Sequence, residues 1–222
     1  MEYNKLKIFI SSVNPKNPVL IKDNLKKQLE CNPKSYQLYF YKIKDSLTCD
    51  TIFHIPKDKF FEITFNPKMD IDHISHYILQ YLSDSIYLTD IAIELEHLSD
   101  KFISNLSKFL LSNNHMTGIH LENCCLKNNA IIIAKSLGNS VNHFSIESNM
   151  LDEDTIIKIS HELRHKTSLK CLNISKNIIN QTALEKIVTL INITKSMVEL
   201  HMSKCDIGNT ISYFFEKMKS EH

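Results

Sequence analysis

From residue 86 onward the apolar residues recur in one fixed frame: apolar-x-x-apolar-x-apolar-x-x-(Asn/Cys)-x-apolar. Leu88, Ile91, Ile93, Glu96 and Leu98 fill its five positions first. Met116, Ile119, Leu121, Cys124 and Leu126 follow, then Val141, Phe144, Ile146, Asn149 and Leu151. Leu169, Leu172, Ile174, Asn177 and Ile179 come next, and Met197, Leu200, Met202, Cys205 and Ile207 close the series. The spacing between copies is constant except for one shorter step, from Met116 to Val141. All 20 apolar positions hold apolar residues; against a 43% background, chance would do this on the order of 10⁻⁷ of the time. The Asn/Cys position is filled in four of five copies, with Glu96 the departure.

The remainder of each unit has helical spacing. Ile103, Leu106 and Leu110 follow Leu98 and are spaced three and four residues apart. Ile156, Ile159 and Leu163 stand in the same relation to Leu151, and Leu184, Ile187 and Ile191 to Ile179. Such steps put one apolar stripe on one helix face. Ser99, Asp152 and Asn180 stand where N-caps belong. Gly138, after Leu137, is placed to close a helix with positive φ. Each unit is thus a short strand, a turn and an amphipathic helix. Strands separated by a helix run parallel. A single unit cannot bury its own apolar face, so the units stack. The Asn or Cys after each strand is expected to point inward and bond the turn backbone, making Cys124 and Cys205 structural thiols.

This pattern resembles the leucine-rich repeat family, and the period with a full helix resembles its ribonuclease-inhibitor-like subclass. The resemblance implies an α/β solenoid with parallel strands on the concave face and helices on the convex face. It covers five clear copies from residue 86, and one degenerate copy from residue 60 extends the repeat region to 59–222. In that copy Phe60, Ile63 and Phe65 precede Leu88, Ile91 and Ile93 by one full period. Asp70 replaces its last apolar residue, and Ile71, Ile74, Ile78 and Leu82 supply a helix. Residues 1–58 do not fit the frame. Leu6, Ile8 and Ile10 read as a strand, Asn17-Pro18 as a helix start, and Ile21, Leu25 and Leu29 continue that helix to Pro33. Tyr36, Leu38 and Phe40 alternate as a second strand, while 44–58 has no assigned element beyond a stop at Pro56. A strand–helix–strand N-terminal capping region follows from these signals.

Composition narrows the function classes. Of 222 residues, 23% are charged and the net charge is +1, which gives no electrostatic case for nucleic acid or membrane. No apolar run reaches the ~20 residues of a membrane span, and Leu6–Ile10 is too short for a signal-peptide core. The three glycines, Gly118, Gly138 and Gly208, form no phosphate-binding loop. Lys, Ile and Asn are abundant, as in AT-rich coding sequences. The six cysteines show no CxxC, so reduced thiols are expected.

The most conspicuous chemical motif is His161-Glu162-Leu163-Arg164-His165, an HExxH match. In zinc peptidases two His at i and i+4 share a helix face and the Glu activates the bound water. Glu185 follows His165 at a spacing that some of these peptidases use for a third ligand. Against this zinc metallopeptidase alternative, Leu163 is the inward residue of its helix, His161 and His165 flank it toward the surface, and Glu185 belongs to the next unit. A solvated helix end, with cations near its C-terminus, is the simpler reading. His73-x-x-His76 reads as a surface pair, and nothing in the sequence activates Cys124 or Cys125 as a nucleophile. The single arginine, Arg164, leaves little for a GTPase-activating reading. The chain is therefore expected to be no enzyme, with no cofactor and no stoichiometric zinc.

The informative surface is the strand face turned from the core. Alternation sends Ala92, His120, Ser145, Asn173 and His201 outward, and also Glu94, Glu122, Glu147, Ser175 and Ser203. One residue on lie Leu95, Asn123, Ser148, Lys176 and Lys204. In parallel strands ~4.8 Å apart these form rows, so three glutamates repel and a basic partner would relieve them. The concave face of leucine-rich repeat proteins commonly binds partners. The expected partner-binding residues are Asp90, Glu94, His120, Glu122, His143, Glu147, Asn173, Lys176, His201 and Lys204. The function expected is non-enzymatic protein–protein interaction with a protein bearing a basic patch, without nucleic acid or membrane. Composition and repeat class together resemble secreted effectors of intracellular bacteria. The chain is expected to be cytoplasmic, or secreted without a cleavable signal into a host cell cytosol. The last helix, from about Asn209 to Lys219, carries Tyr213 and Phe214 beyond what the preceding unit can cover, so self-association through the C-terminal end is a further expectation.

Overall fold

A computed structural model describes the strands at 5–10, 36–42, 51–56, 60–65 and 88–94, helical positions 72, 76 and 79, and residues 97–205 and 207. The elements in chain order begin with β1 (Lys5–Ile10), β2 (Tyr36–Lys42), β3 (Thr51–Pro56) and β4 (Phe60–Phe65). They continue as β5 (Leu88–Glu94), α1 (Asp100–Ser112), β6 (Gly118–Leu121), α2 (Asn129–Ser136) and β7 (His143–Ser145). The last are α3 (Glu153–Leu163), β8 (Cys171–Asn173), α4 (Gln181–Ile193) and β9 (Glu199–His201). Strands β5 to β9 form an all-parallel sheet in chain order, with a helix between each pair. The architecture is α/β.

The recurring frame sets the register. Ile91, Ile119, Phe144, Leu172 and Leu200 pair across neighbouring strands. Two residues on, Ile93, Leu121, Ile146 and Ile174 are buried and Met202 is half-buried at the end of the stack. The helices close this row from one side through Phe102, Leu106, Ile133, Ile159, Leu163, Leu184 and Ile187. Ser99, Asp152 and Asn180 cap their helices as expected, accepting from the amides of Phe102, Thr155 and Ala183 at 3.0, 2.9 and 3.0 Å.

Shortly after each of β6 to β9 the backbone enters the left-handed region. Asn123, Ser148, Lys176 and Lys204 have φ of 54°, 57°, 56° and 56° at equivalent points of successive units. A non-glycine residue there costs roughly 1–2 kcal/mol, and Asn bears it best. The Asn/Cys position compensates. Asn149 accepts from the amides of Cys124 and Leu126 at 3.1 and 3.2 Å and donates to the carbonyls of Leu121 and Glu147 at 2.6 and 3.0 Å. Asn177 repeats this one unit on, accepting from Asn149 and Leu151 and donating to Ile146, Ile174 and Ser175. Cys124 donates to Ile93 O at 3.1 Å and Cys205 to Ile174 O at 3.4 Å. These side chains satisfy buried turn backbone that neither sheet nor helix reaches.

Three features differ from the sequence reading. Gly138 does not take a left-handed φ; α2 closes through Leu137 in an extended conformation, its amide bonding Ala134 O. β4 does not lie beside β5. Instead β2 pairs in parallel with both, so a strand from the region 1–58 is inserted between the upstream copy and the first clear one. Pairing across that distance has no trace in a local apolar pattern. Residues 44–58 contain β3, antiparallel to β1 and β4. The helix expected at 17–33 and the C-terminal helix with Tyr213 and Phe214 lie outside the described residues. Among the described residues, no helix is long and apolar enough to cross a membrane.

Candidate functional site

With the helices on one side of β5–β9, the opposite sheet face carries the polar residues. The register makes three rows. Asp90, Gly118, His143, Cys171 and Glu199 form the first, and Ala92, His120, Ser145, Asn173 and His201 the second. Glu94, Glu122, Glu147, Ser175 and Ser203 continue the alternation as a third; the side chain of Glu94 lies outside the described residues. His143, Lys176, Glu199, His201 and Lys204 are exposed, while Asp90, His120, Glu122, Glu147 and Asn173 are half-buried. Ser145 and Ser175 are buried.

The acidic row is not bare. Lys176, at its left-handed bend, reaches back to Glu147 at 2.5 Å, and Asn173 Nδ2 donates to the same carboxylate at 3.0 Å. These two contacts hold the Glu147 carboxyl below its ordinary range, and its carboxylate in turn raises the Lys176 ammonium. Glu122 accepts from Ser145 Oγ at 3.1 Å, and Asn173 Nδ2 also donates to Ser145 Oγ at 3.2 Å. A network therefore crosses three strands and offsets part of the charge expected to await a partner. The expected repulsion among three glutamates is thereby reduced: Glu147 has its countercharge within the chain.

At the other end Gly118 makes room for Asp90. A Cβ on Gly118 would stand 2.0 Å from Asp90 Oδ1 and 3.0 Å from His120 Nε2. Burial lowers the His120 pKa against the opposing pull of Asp90 and Glu122, with His143 adding to the lowering. The His143 Nδ1 contacts Asn142 Oδ1.

The sequence reading did not single out Cys171 or Glu199. They lie directly opposite each other on β8 and β9, and His201 follows Glu199 by two residues on the same face. The three donor atoms lie within 4.8 Å of one another, with His201 Nε2 and Glu199 Oε2 at 3.4 Å. Burial, the Glu199 charge and a hydrogen bond to its carboxylate raise the Cys171 thiol. The signal that could have found both is the same alternation, extended toward the strand start from Asn173 and His201.

The HExxH residues are arranged differently. α3 ends at Leu163 and Arg164 is its C-cap, so His165 falls beyond the helix. Arg164 Nε donates to His165 Nε2 at 2.9 Å, while His161 Nδ1 is 3.9 Å from Glu162. Among the described residues, the motif contributes to no group of three ligating side chains. His76 is exposed, and its sequence partner His73 lies outside the described residues. In comparisons with known proteins, no family model matches the chain, and no curated protein matches it either.

Proposed function

We propose that this chain is a leucine-rich repeat protein of the ribonuclease-inhibitor-like kind that binds a partner protein on its concave sheet face and catalyses no reaction. The observation that carries this reading is the sheet face itself. The apolar residues of β5–β9 are spent against the helices, and the other face presents rows of charged and polar side chains on a hydrogen-bonded backbone. The repeating Asn/Cys contacts to turn backbone support the repeat class. Residues 1–58 act as the N-terminal cap through β2, which continues the parallel pairing.

The partner carries a basic patch that meets Glu94 and Glu122, with acceptors toward Lys204. Held charges of this kind steer orientation and association rate more than they add affinity. The Lys-, Ile- and Asn-rich composition together with the repeat class favours an effector that a bacterium delivers into a host cytosol. Capture from host-cell lysate tests the reading. Wild type should retain a partner whose binding weakens as salt rises, because exposed charges are screened over ~8–10 Å at physiological ionic strength. The triple variant Glu94→Lys, Glu122→Lys, Glu147→Lys should lose it. Undiminished capture by that variant would move the interface elsewhere.

A further inference from the structure

We propose that Cys171, Glu199 and His201 form a zinc site on the exposed sheet face, with three protein ligands and an open fourth position. The inference does not depend on the docking reading, and it reverses the sequence-based expectation of a chain without metal. Its basis is cross-strand geometry. Cys171 and Glu199 are register partners on adjacent parallel strands, and Glu199 and His201 stand at i and i+2 of one strand. All three side chains therefore leave the same face.

The distances suit a four-coordinate ion. With ligand bonds of about 2.0 Å to nitrogen and oxygen, tetrahedral geometry separates those two donors by about 3.3 Å. The separation of His201 Nε2 and Glu199 Oε2 is 3.4 Å. With a zinc–sulfur bond of about 2.3 Å, a thiolate belongs about 3.5 Å from each. The Cys171 sulfur lies within 4.8 Å of a ligand atom of each of the other two residues, so a small side-chain adjustment completes the set.

The backbone beneath is fixed. Lys170 O accepts from the amides of Val198 and Glu199 at 2.8 and 2.9 Å, and Asn142 O from those of Lys170 and Cys171 at 2.8 and 2.9 Å. A site on strands held in this way loses little freedom on closing.

The donor set selects the metal. Calcium and magnesium take oxygen ligands, which a thiol and an imidazole do not provide. Thiolate, imidazole and carboxylate together suit zinc, whose open sites carry three protein ligands and a water. On binding, the Cys171 S–H bond breaks, its proton passes to solvent, and the zinc–sulfur bond forms. Glu199 and His201 are exposed, so solvent completes the fourth position.

Titration of the metal-free full chain with cobalt(II), a spectroscopic stand-in, and then with zinc tests the assignment. One cobalt per chain should bind, with tetrahedral d–d absorption and a charge-transfer band from a single thiolate, and zinc should displace it. Loss of outer-shell partners alone weakens metal sites about 10–100-fold, so Cys171→Ser and His201→Gln should each exceed that and remove the corresponding spectral feature. Glu199→Gln should weaken binding while keeping the thiolate band. Cys125→Ser and the double variant His161→Gln, His165→Gln should bind as wild type. Circular dichroism confirms that each variant is folded, and the wild-type spectrum stands alone as a readout of one thiolate. No stoichiometric cobalt or zinc in the wild type would overturn the proposal. So would binding that survives Cys171→Ser, or binding abolished by the His161 and His165 changes.

Discussion

Replacing Asn149 by Ala tests how these units are joined. Asn149 is 0% exposed. Its side chain accepts from the amides of Cys124 and Leu126 and donates to the carbonyls of Leu121 and Glu147. Each such bond contributes about 0.5–1.5 kcal/mol net, and each buried group left unpaired costs about 1–3 kcal/mol. At the lower end of that range for the four groups left unpaired, Asn149→Ala should destabilise by about 3–5 kcal/mol. Each kcal/mol lowers the thermal midpoint of a chain this size by about 2–4 °C, so the expected fall is about 6–20 °C. Asn149→Cys sharpens the test, because Cys124 shows that a thiol here can donate to backbone carbonyls. That variant keeps one donor hydrogen for the carbonyls, leaves the two amides unpaired, and should cost about 2 kcal/mol. Urea titration gives both values, and hydrogen exchange should show lost protection at the Cys124 and Leu126 amides. A loss under about 1 kcal/mol for the Ala variant would refute the argument. Equal losses for Ala and Cys would refute the division between donors and acceptors.

Ile174, 2% exposed, should cost roughly 2–5 kcal/mol as Ala, whereas Ile178, 64% exposed, should cost under about 0.5 kcal/mol; urea midpoints that reverse this order would contradict the register. Glu147 has a lowered pKa in the folded chain, so the unfolded chain binds the extra proton and the stabilisation, present above the ordinary value of 4.5, fades as pH falls through the lowered one. Lys176→Met should reduce that acid sensitivity, as measured by unfolding free energy against pH. His120 also has a lowered pKa, set chiefly by burial, so its contribution is full above 6.5 and declines as pH drops below it. His120→Gln should flatten the stability profile in that range, with Asp90, Glu122 and His143 left as the titratable groups beside it. An unchanged profile would show that the ring is not held neutral.

The apolar frame made the sheet and most of its helices legible because burial repeats at a fixed interval. Ile91, Ile119, Phe144 and Leu172 are buried side by side, as the frame requires. The caps at Ser99, Asp152 and Asn180 were legible because capping is local. Gly138 misled because a glycine after a helix only permits a left-handed φ, and Leu137 closed the turn without one. The place of β2 between β4 and β5 was not legible, since backbone pairing between segments as far apart as Tyr36 and Leu88 leaves no periodic mark. On the polar face the rows were readable, but not what their members do to one another. Lys176, at a left-handed backbone position, turns back on Glu147, and a strand alternation does not encode that reach. Cys171 and Glu199 were passed over because each stands alone in sequence and only the cross-strand register brings them together.

Lysine labelling of the chain, free and bound to its captured partner, tests the docking face most directly. Lys176 and Lys204 are exposed on or beside the sheet face, and Lys135, Lys158 and Lys186 are exposed on the helices. Binding on the sheet face predicts strong protection of Lys204 and added protection of Lys176 beyond its existing pair with Glu147, with the three helix lysines labelled as in the free chain. Protection confined to Lys135, Lys158 and Lys186, with Lys204 still fully labelled, would contradict it.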